Sequence, residues 1–258
     1  MNGNKRIVIK VGTSTLTHKT GRLNIRRVEK LVKTLADIHN AGHEILLVSS
    51  GSIGLGMGKL GLKHKPADTP TKQACAAVGQ CELMNMYGKL FSDYSLNVAQ
   101  LLLTKYVLLE DRRMNVENAI ESILSYGVIP IINENDTVAI EELELEVGEN
   151  DTLSAIIATV AKADMLVILS DIDGLYDCDP RKNPNAKLIE VVENIDKRIE
   201  DFASGAGSEL GTGGMATKIA AAKITKEAGI DMVVMNGSNP EDLYDMVQGK
   251  CHGTLFKA

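Results

Sequence analysis

Apolar runs of strand length alternate with apolar residues at helical spacing along most of this chain. Ile7-Val-Ile-Lys-Val11 is rich in β-branched residues and stops at Gly12, the pattern of a buried strand. Ile25, Val28, Leu31, Val32, Leu35 and Ile38 share one helical face, and Gly42 closes the segment. A helix is therefore predicted over 25–40. The same reasoning predicts strands over 45–48, 98–103, 128–132, 165–169 and 231–235. It predicts helices over 71–91, 113–126, 151–161, 219–228 and 240–248, the third capped by Asn150 or Asp151. Residues 142–147 alternate strictly between acidic and apolar, as one half-exposed arm of a hairpin would. The segment 172–212, with Pro180 and Pro184, reads as loop-rich.

Alternation of this kind predicts an α/β protein, a three-layer αβα sandwich around a mainly parallel sheet. One domain covers 1–258, softest near residue 165. That point separates an N-terminal lobe, about 1–165, from a C-terminal lobe, about 166–258. Ligands bind such sheets outside the carboxyl ends of the strands. Four polar clusters fall at strand ends here: Gly12-Thr-Ser14, Ser49-Ser-Gly-Ser52, Asn133-Glu-Asn-Asp136 and Ser170-Asp171.

Composition narrows the function classes. Hydrophobic residues at 44% and charged residues at 24% are ordinary for a soluble globular protein. Aromatic residues make up 3%, with no tryptophan, so stacking on bases is not the main tool of recognition. A net charge of −6 argues against general nucleic-acid binding while leaving room for a local basic pocket. No apolar run is long enough to span a bilayer, and the N-terminal apolar run is too short for a signal peptide. Cys75, Cys81, Cys178 and Cys251 form no C-x-x-C pair; reduced thiols and a cytoplasmic location are expected. His39 and His43 have ligand-pair spacing, but Asn40 and Gly42 between them read as a helix end.

The candidate chemistry centres on Gly211-Thr-Gly-Gly-Met-Ala-Thr-Lys218, which runs straight into a helical pattern. Glycines admit close backbone approach, N–H groups at a helix start favour an anion, and the lysine adds a full charge. This is a way to hold polyphosphate; a flexible loop is the plainer alternative. Lys10 inside a buried-type strand is costly unless paired. It reads either as a lysine aimed at phosphate or as a solvated residue on an edge strand. No G-x-x-x-x-G-K-[ST] sequence occurs, which counts against a P-loop fold. Gly56-Met-Gly-Lys-Leu-Gly61 matches G-x-G-x-x-G, but it reads as a mobile glycine-rich loop before it reads as a dinucleotide site. Ser49 to Ser52 offers ligand hydroxyls or plain helix capping, and Asn133 to Asp136 offers a polar pocket or plain turn chemistry. With Asn150-Asp151 beyond the hairpin, the second cluster suggests a pocket for a small zwitterion.

Taken in order, several stretches resemble the amino acid kinase family, and within it the glutamate 5-kinases. They are 8–14, 48–51, 73–80, 128–136, 147–151, Asp173-Gly-Leu-Tyr176 with Asp179-Pro-Arg181, and 211–218. Many members continue into a C-terminal PUA domain; this chain reads as the compact form. The resemblance implies an amino acid kinase-like fold and ATP-dependent phosphorylation of the side-chain carboxylate of L-glutamate, the entry to proline synthesis. It further implies Mg²⁺, feedback inhibition by proline and a homo-oligomer; the lability expected of the product would make hand-off to the next enzyme advantageous.

By the same resemblance, Lys10 and Lys218 flank the transferring phosphoryl group and Asp151 holds both. Ser50, Gly51, Asn133, Asp136 and Asn150 contact the substrate. Lys10, Gly12, Ser170, Asp171, Thr212, Gly213, Gly214, Met215 and Lys218 contact ATP. A carboxylate kinase of the same family acting on acetylglutamate, a non-catalytic nucleotide-sensing module and a dinucleotide-dependent reductase are the alternatives.

Overall fold

A computed structural model describes residues 3–18, 22–104, 110–138, 150–204 and 214–258. The expected strand over 142–147 and the glycines Gly211 and Gly213 lie outside these residues.

The first strand, β1 (Arg6–Val11), leads into a single helical turn, α1 (Thr13–Leu16), and then α2 (Ile25–Asn40). Next come β2 (Glu44–Ser49), α3 (Ser52–Leu60), α4 (Thr69–Ser92), β3 (Val98–Leu103), α5 (Glu110–Ser125) and β4 (Ile129–Glu134). Then follow α6 (Asn150–Val160), β5 (Met165–Ser170), β6 (Val191–Val192), α7 (Lys197–Ser204) and α8 (Met215–Glu227). The chain closes with β7 (Asp231–Asn236), α9 (Asp242–Val247) and β8 (Gly253–Phe256).

All eight strands join one sheet, in the order β3-β4-β2-β1-β5-β7-β8-β6. Pairing is parallel throughout except between β7 and β8. The pattern-based reading of a mainly parallel sheet therefore holds. β1 sits in the middle, with Lys10 opposite Val48 on one side and Ile168 on the other. That position excludes the edge-strand reading of Lys10.

Both faces of the sheet are buried, because side chains alternate along each strand. Ile7, Ile9 and Val11 pack with Leu31, Leu35, Leu83, Phe91 and Leu243 of α2, α4 and α9. Val8, Leu46 and Ile168 pack with Ile120, Ile157, Ala158 and Ile219 of α5, α6 and α8. Period two puts Lys10 on the Val8 face, toward the layer that contains α6 and α8.

Three expectations change. Gly56 to Leu60 belongs to helix α3, with Gly61 as its left-handed C-cap (φ 71°), so the mobile-loop reading and the dinucleotide reading built on it both fall. The glycines serve packing. A Cβ on Gly56 would lie 1.8 Å from the Cys75 carbonyl oxygen, and one on Gly79 would lie 1.7 Å from the Ser52 carbonyl oxygen. Only hydrogen at both positions lets α3 and α4 approach so closely. The strand predicted over 128–132 extends to Glu134, because Asn133 and Glu134 pair with Leu102 and Leu103 of β3. The segment 172–212 also contains β6, two residues long, and α7, an eight-residue helix whose Ile199 and Phe202, three apart, pack against the core.

Among the described residues, no helix is long and apolar enough to cross a membrane. All four cysteines are free thiols. His39 lies in the last turn of α2, and His43 accepts a hydrogen bond from the Lys5 backbone N–H, in keeping with a helix end there.

Candidate active site

Asp151 is the pivot of the site. It occupies the first turn of α6 and is fully buried. Lys10 Nζ, from the end of β1, lies 2.7 Å from its Oδ1. Lys218 Nζ, from the first turns of α8, lies 3.1 Å from its Oδ2. Thr217 Oγ1 lies 2.9 Å from the same Oδ2 and 2.8 Å from the Gly214 carbonyl, so one hydroxyl proton serves two acceptors. Burial pushes the Asp151 carboxyl up, but the two ammonium groups outweigh it and hold it below the usual carboxylate range.

This arrangement is costly to build. A lysine near a helix N-terminus faces the positive end of the helix dipole. Lys218 is 4% exposed, so it has also given up most of its hydration. Asp151 offsets part of both costs, and at a helix N-terminus its own charge is favoured. Buried charge of this kind, concentrated at one point beside open clefts, makes the cluster a candidate functional site.

Two clefts meet at these groups. The first, of about 350 Å³, is lined by Lys10, Gly12, Ser50, Gly51, Asn133, Asp136 and Asn150, among others. Its floor is a connected polar network. Asn150 Nδ2 donates to Ser50 Oγ (2.6 Å) and to Asn133 Oδ1 (3.1 Å). Asn133 Nδ2 donates to Gln80 Oε1 (3.0 Å), and Ser52 Oγ donates to Asp136 Oδ2 (3.2 Å). Gly51 has φ 109°, a left-handed conformation that turns the chain from β2 into α3. It is Gly51, not a serine, that caps α3, and no side chain bonds the helix start. The hydroxyls of the Ser49–Ser52 run are thus spent elsewhere, Ser49 on Tyr87 and Ser50 and Ser52 in the cleft network.

The second cleft, of about 280 Å³, is lined by Ser170, Asp171, Asp173, Tyr176, Arg181, Gly214, Met215 and Asn236, among others. Ser170, Asp171 and Lys218 line both clefts.

Every expected site residue that the structure describes falls on one of these two surfaces or on the Asp151 pivot. Thr212 and Gly213 lie outside the described residues. Gly12 lines the first cleft, beside Lys10, and does not reach the second. Asn150 and Asp151 both lie inside α6 and do not precede it as caps. Reasoning from sequence missed the roles of Thr217 and Gln80. Thr217 stood inside the glycine-rich stretch without a signal of its own, and Gln80 closed the 73–80 stretch of the resemblance, mid-helix, without a role attached to it. The antiparallel pair β7–β8 brings Thr254 to donate to the Ile189 carbonyl and accept from the Leu175 N–H, which fastens the rim of the second cleft.

A magnesium ion would find no ready-made cage. Among the described residues, no group of three or more His, Cys, Asp or Glu side chains could hold a metal.

The amino acid kinase family model matches residues 5–236. The chain belongs to the amino acid kinase family. A glutamate 5-kinase from Clostridium perfringens is 53% identical over 100% of this chain and 97% of its own length. One from Listeria monocytogenes is 49% identical over 99% of this chain and 94% of its own. A glutamate 5-kinase from Carboxydothermus hydrogenoformans, 49% identical, is longer, with 68% of its length covered. Among solved structures, a carbamate kinase from Giardia lamblia bound to AMP-PNP superposes with a TM-score of 0.69 at 18% identity. It covers 100% of this chain and 99% of its own. A UMP kinase from Ureaplasma parvum gives 0.67 at 16% identity, covering 99% and 100%. These two neighbours share the fold of this chain.

Proposed function

We propose that this amino acid kinase transfers the γ-phosphoryl group of ATP to the side-chain carboxylate of L-glutamate, giving L-glutamyl 5-phosphate for proline synthesis. The observation that carries the reading is the pair Lys10 and Lys218 held by one carboxylate where two clefts meet. Near-half identity to glutamate 5-kinases over almost the whole chain supports the choice of acceptor.

The chemistry asks little of the protein beyond placement and charge. A carboxylate is already a nucleophile, so no general base is needed. Its oxygen attacks the γ-phosphorus; the new O–P bond forms as the bond to the β-phosphate oxygen breaks, and the electron pair leaves on ADP. The obstacle is an anion approaching a polyanion. Lys10 and Lys218 neutralise the γ-phosphoryl oxygens, with Asp151 keeping both ammonium groups in place. Magnesium bound with the nucleotide would add positive charge at the β and γ phosphates.

The first cleft takes the acceptor. Ser50, Gly51, Asn133 and Asn150 supply polar contacts, and Asp136 supplies an anion for the free α-ammonium. An acetylated amino group carries no charge to offset burial of that anion, which disfavours N-acetylglutamate. The second cleft takes ATP, with Ser170, Asp171, Gly214, Met215 and Lys218 in contact and Thr212 and Gly213 expected there too. On this reading the lobe before about residue 165 serves the acceptor and the later lobe serves the nucleotide. A homo-oligomer, proline as feedback inhibitor, product hand-off and a cytoplasmic location complete the proposal on the strength of the family resemblance.

ADP release that depends on added L-glutamate tests it, with hydroxamate trapping run in parallel on N-acetylglutamate. Trapping with glutamate alone supports the assignment. Equal or greater trapping with N-acetylglutamate overturns the choice of acceptor, and nucleotide binding without turnover overturns the enzyme reading.

A further inference from the structure

We propose that Gln80 is a positioning residue for the acceptor: it anchors the Nδ2 end of the Asn133 amide, and so holds in place a side-chain relay that leaves the Ser50 hydroxyl as a donor to an acceptor carboxylate. The inference rests on reading the first cleft as the acceptor site.

The starting point is a backbone group. The N–H of Glu134 donates to Asn133 Oδ1 at 2.9 Å. A backbone N–H can only donate, so the direction of the Asn133 amide is set: Oδ1 toward Glu134, Nδ2 the other way. Asn133 is 1% exposed, and its Nδ2 must find acceptors inside the protein. Gln80 Oε1 provides the better one at 3.0 Å; Ser52 Oγ stands at 3.5 Å.

The consequences run toward the ligand. Asn133 Oδ1 faces Asn150, so Asn150 must present Nδ2 to it, at 3.1 Å. The second hydrogen of that Nδ2 goes to Ser50 Oγ at 2.6 Å. Ser50 Oγ is then an acceptor within the protein, and its own proton remains for a partner in the cleft that it lines. A donor there suits a carboxylate. Asp136, an acceptor on the same cleft, suits the ammonium of the same molecule. The two ends of a zwitterion are thereby told apart.

Gln80 is built for this task and for no other visible one. It is 7% exposed, and its Nε2 has no hydrogen-bond partner among the described residues. The side chain therefore bears the cost of a buried amide for the sake of its oxygen. Its neighbour Gly79 sits against the Ser52 carbonyl, which brings α4 close enough for Gln80 to reach Asn133 across α3.

Initial-rate kinetics on the full chain test the proposal, with L-glutamate varied at saturating ATP. Gln80→Met keeps the volume and removes the acceptor. KM for glutamate should rise about tenfold, with kcat and KM for ATP within about twofold, as expected for a buried donor left unpaired. A purely structural role would not depend on Ser50, so the deciding measurement is a cycle with Ser50→Ala. In that background Gln80→Met should change KM for glutamate by less than about twofold.

Independent effects that multiply in the double variant, or an unchanged KM in Gln80→Met, overturn the inference. Should Gln80→Met not fold, Gln80→Asn, which keeps the amide but stops a methylene short, carries the same expectations. A wild-type chain that releases no ADP with glutamate overturns the acceptor reading itself. With an active wild type, failure of the cycle strikes this inference alone.

Discussion

Lys218 and Asp151 face each other across the packed helices α8 and α6, Nζ to Oδ2 at 3.1 Å, while Lys10 approaches the other oxygen of the same carboxylate. Three distant stretches of chain thereby place two ammonium groups at the seam of two clefts. On the proposed function, this charge, expensive to bury, meets the negative oxygens of the arriving phosphoryl group.

Lys218→Ala should lower kcat by a factor on the order of 10²–10³, the usual loss for one donor to transition-state charge. Steady-state ADP release measures it. Turnover within a few-fold of wild type would remove Lys218 from the chemistry.

Asp151→Asn should cost about 3–5 kcal/mol of stability at neutral pH, because it leaves two buried ammonium groups without their shared anion. Urea unfolding followed by circular dichroism reads this directly. The carboxyl titrates below its ordinary value of 3.8 in the fold. Its contribution is therefore present above the unfolded value and disappears as pH falls through the lower, folded one. Wild type should lose stability in that acid range, and the Asn variant should lose less there. Parallel acid profiles for the two proteins would show that Asp151 is not the group responsible.

Asp136→Ala should raise KM for glutamate by about 10- to 100-fold, the range for losing a hydrogen bond to a charged group. ATP affinity, measured by calorimetry with a non-hydrolysable analogue, should change little. A collapse of nucleotide binding with glutamate binding intact would move Asp136 to the other cleft.

Gly79→Ala should destabilise the fold by about 1–3 kcal/mol, since its methyl group would collide with the Ser52 carbonyl and force α3 from α4. KM for glutamate should rise with it, because Ser52 bonds Asp136 and Asn133. Thermal unfolding and glutamate kinetics on one preparation check both halves. An unchanged melting temperature would mean the helices separate at no cost.

Much of this architecture could be read without coordinates. Apolar runs and helical stripes gave elements whose ends agree with the structure to within about three residues, except that α8 begins at Met215, four residues before the expected start at 219. Glycine at α3 misled, because helix propensity argues against Gly54, Gly56 and Gly58; the contact with α4 explains Gly56, while a Cβ at Gly58 would meet open space. Gln80 stood in the 73–80 stretch that carries the family resemblance, but its contact could not be read there, for a related reason. Its partner Asn133 lies 53 positions away, and nothing in the local pattern of α4 encodes a contact across α3.

The sequence alone determined the alternation of strand and helix, and with it a parallel sheet whose carboxyl ends carry the polar clusters. It also set Lys10 in an apolar strand, where a charge is costly unless paired, but left open whether that strand lay at an edge; its central place between β2 and β5 decided the point. Which face Lys10 takes, that Asp151 lies between it and Lys218, and which way each amide of the acceptor cleft points were decided only by tertiary structure. Those are matters of angle and distance between segments far apart along the chain, where a shift of one residue in strand register would turn Lys10 to the opposite layer.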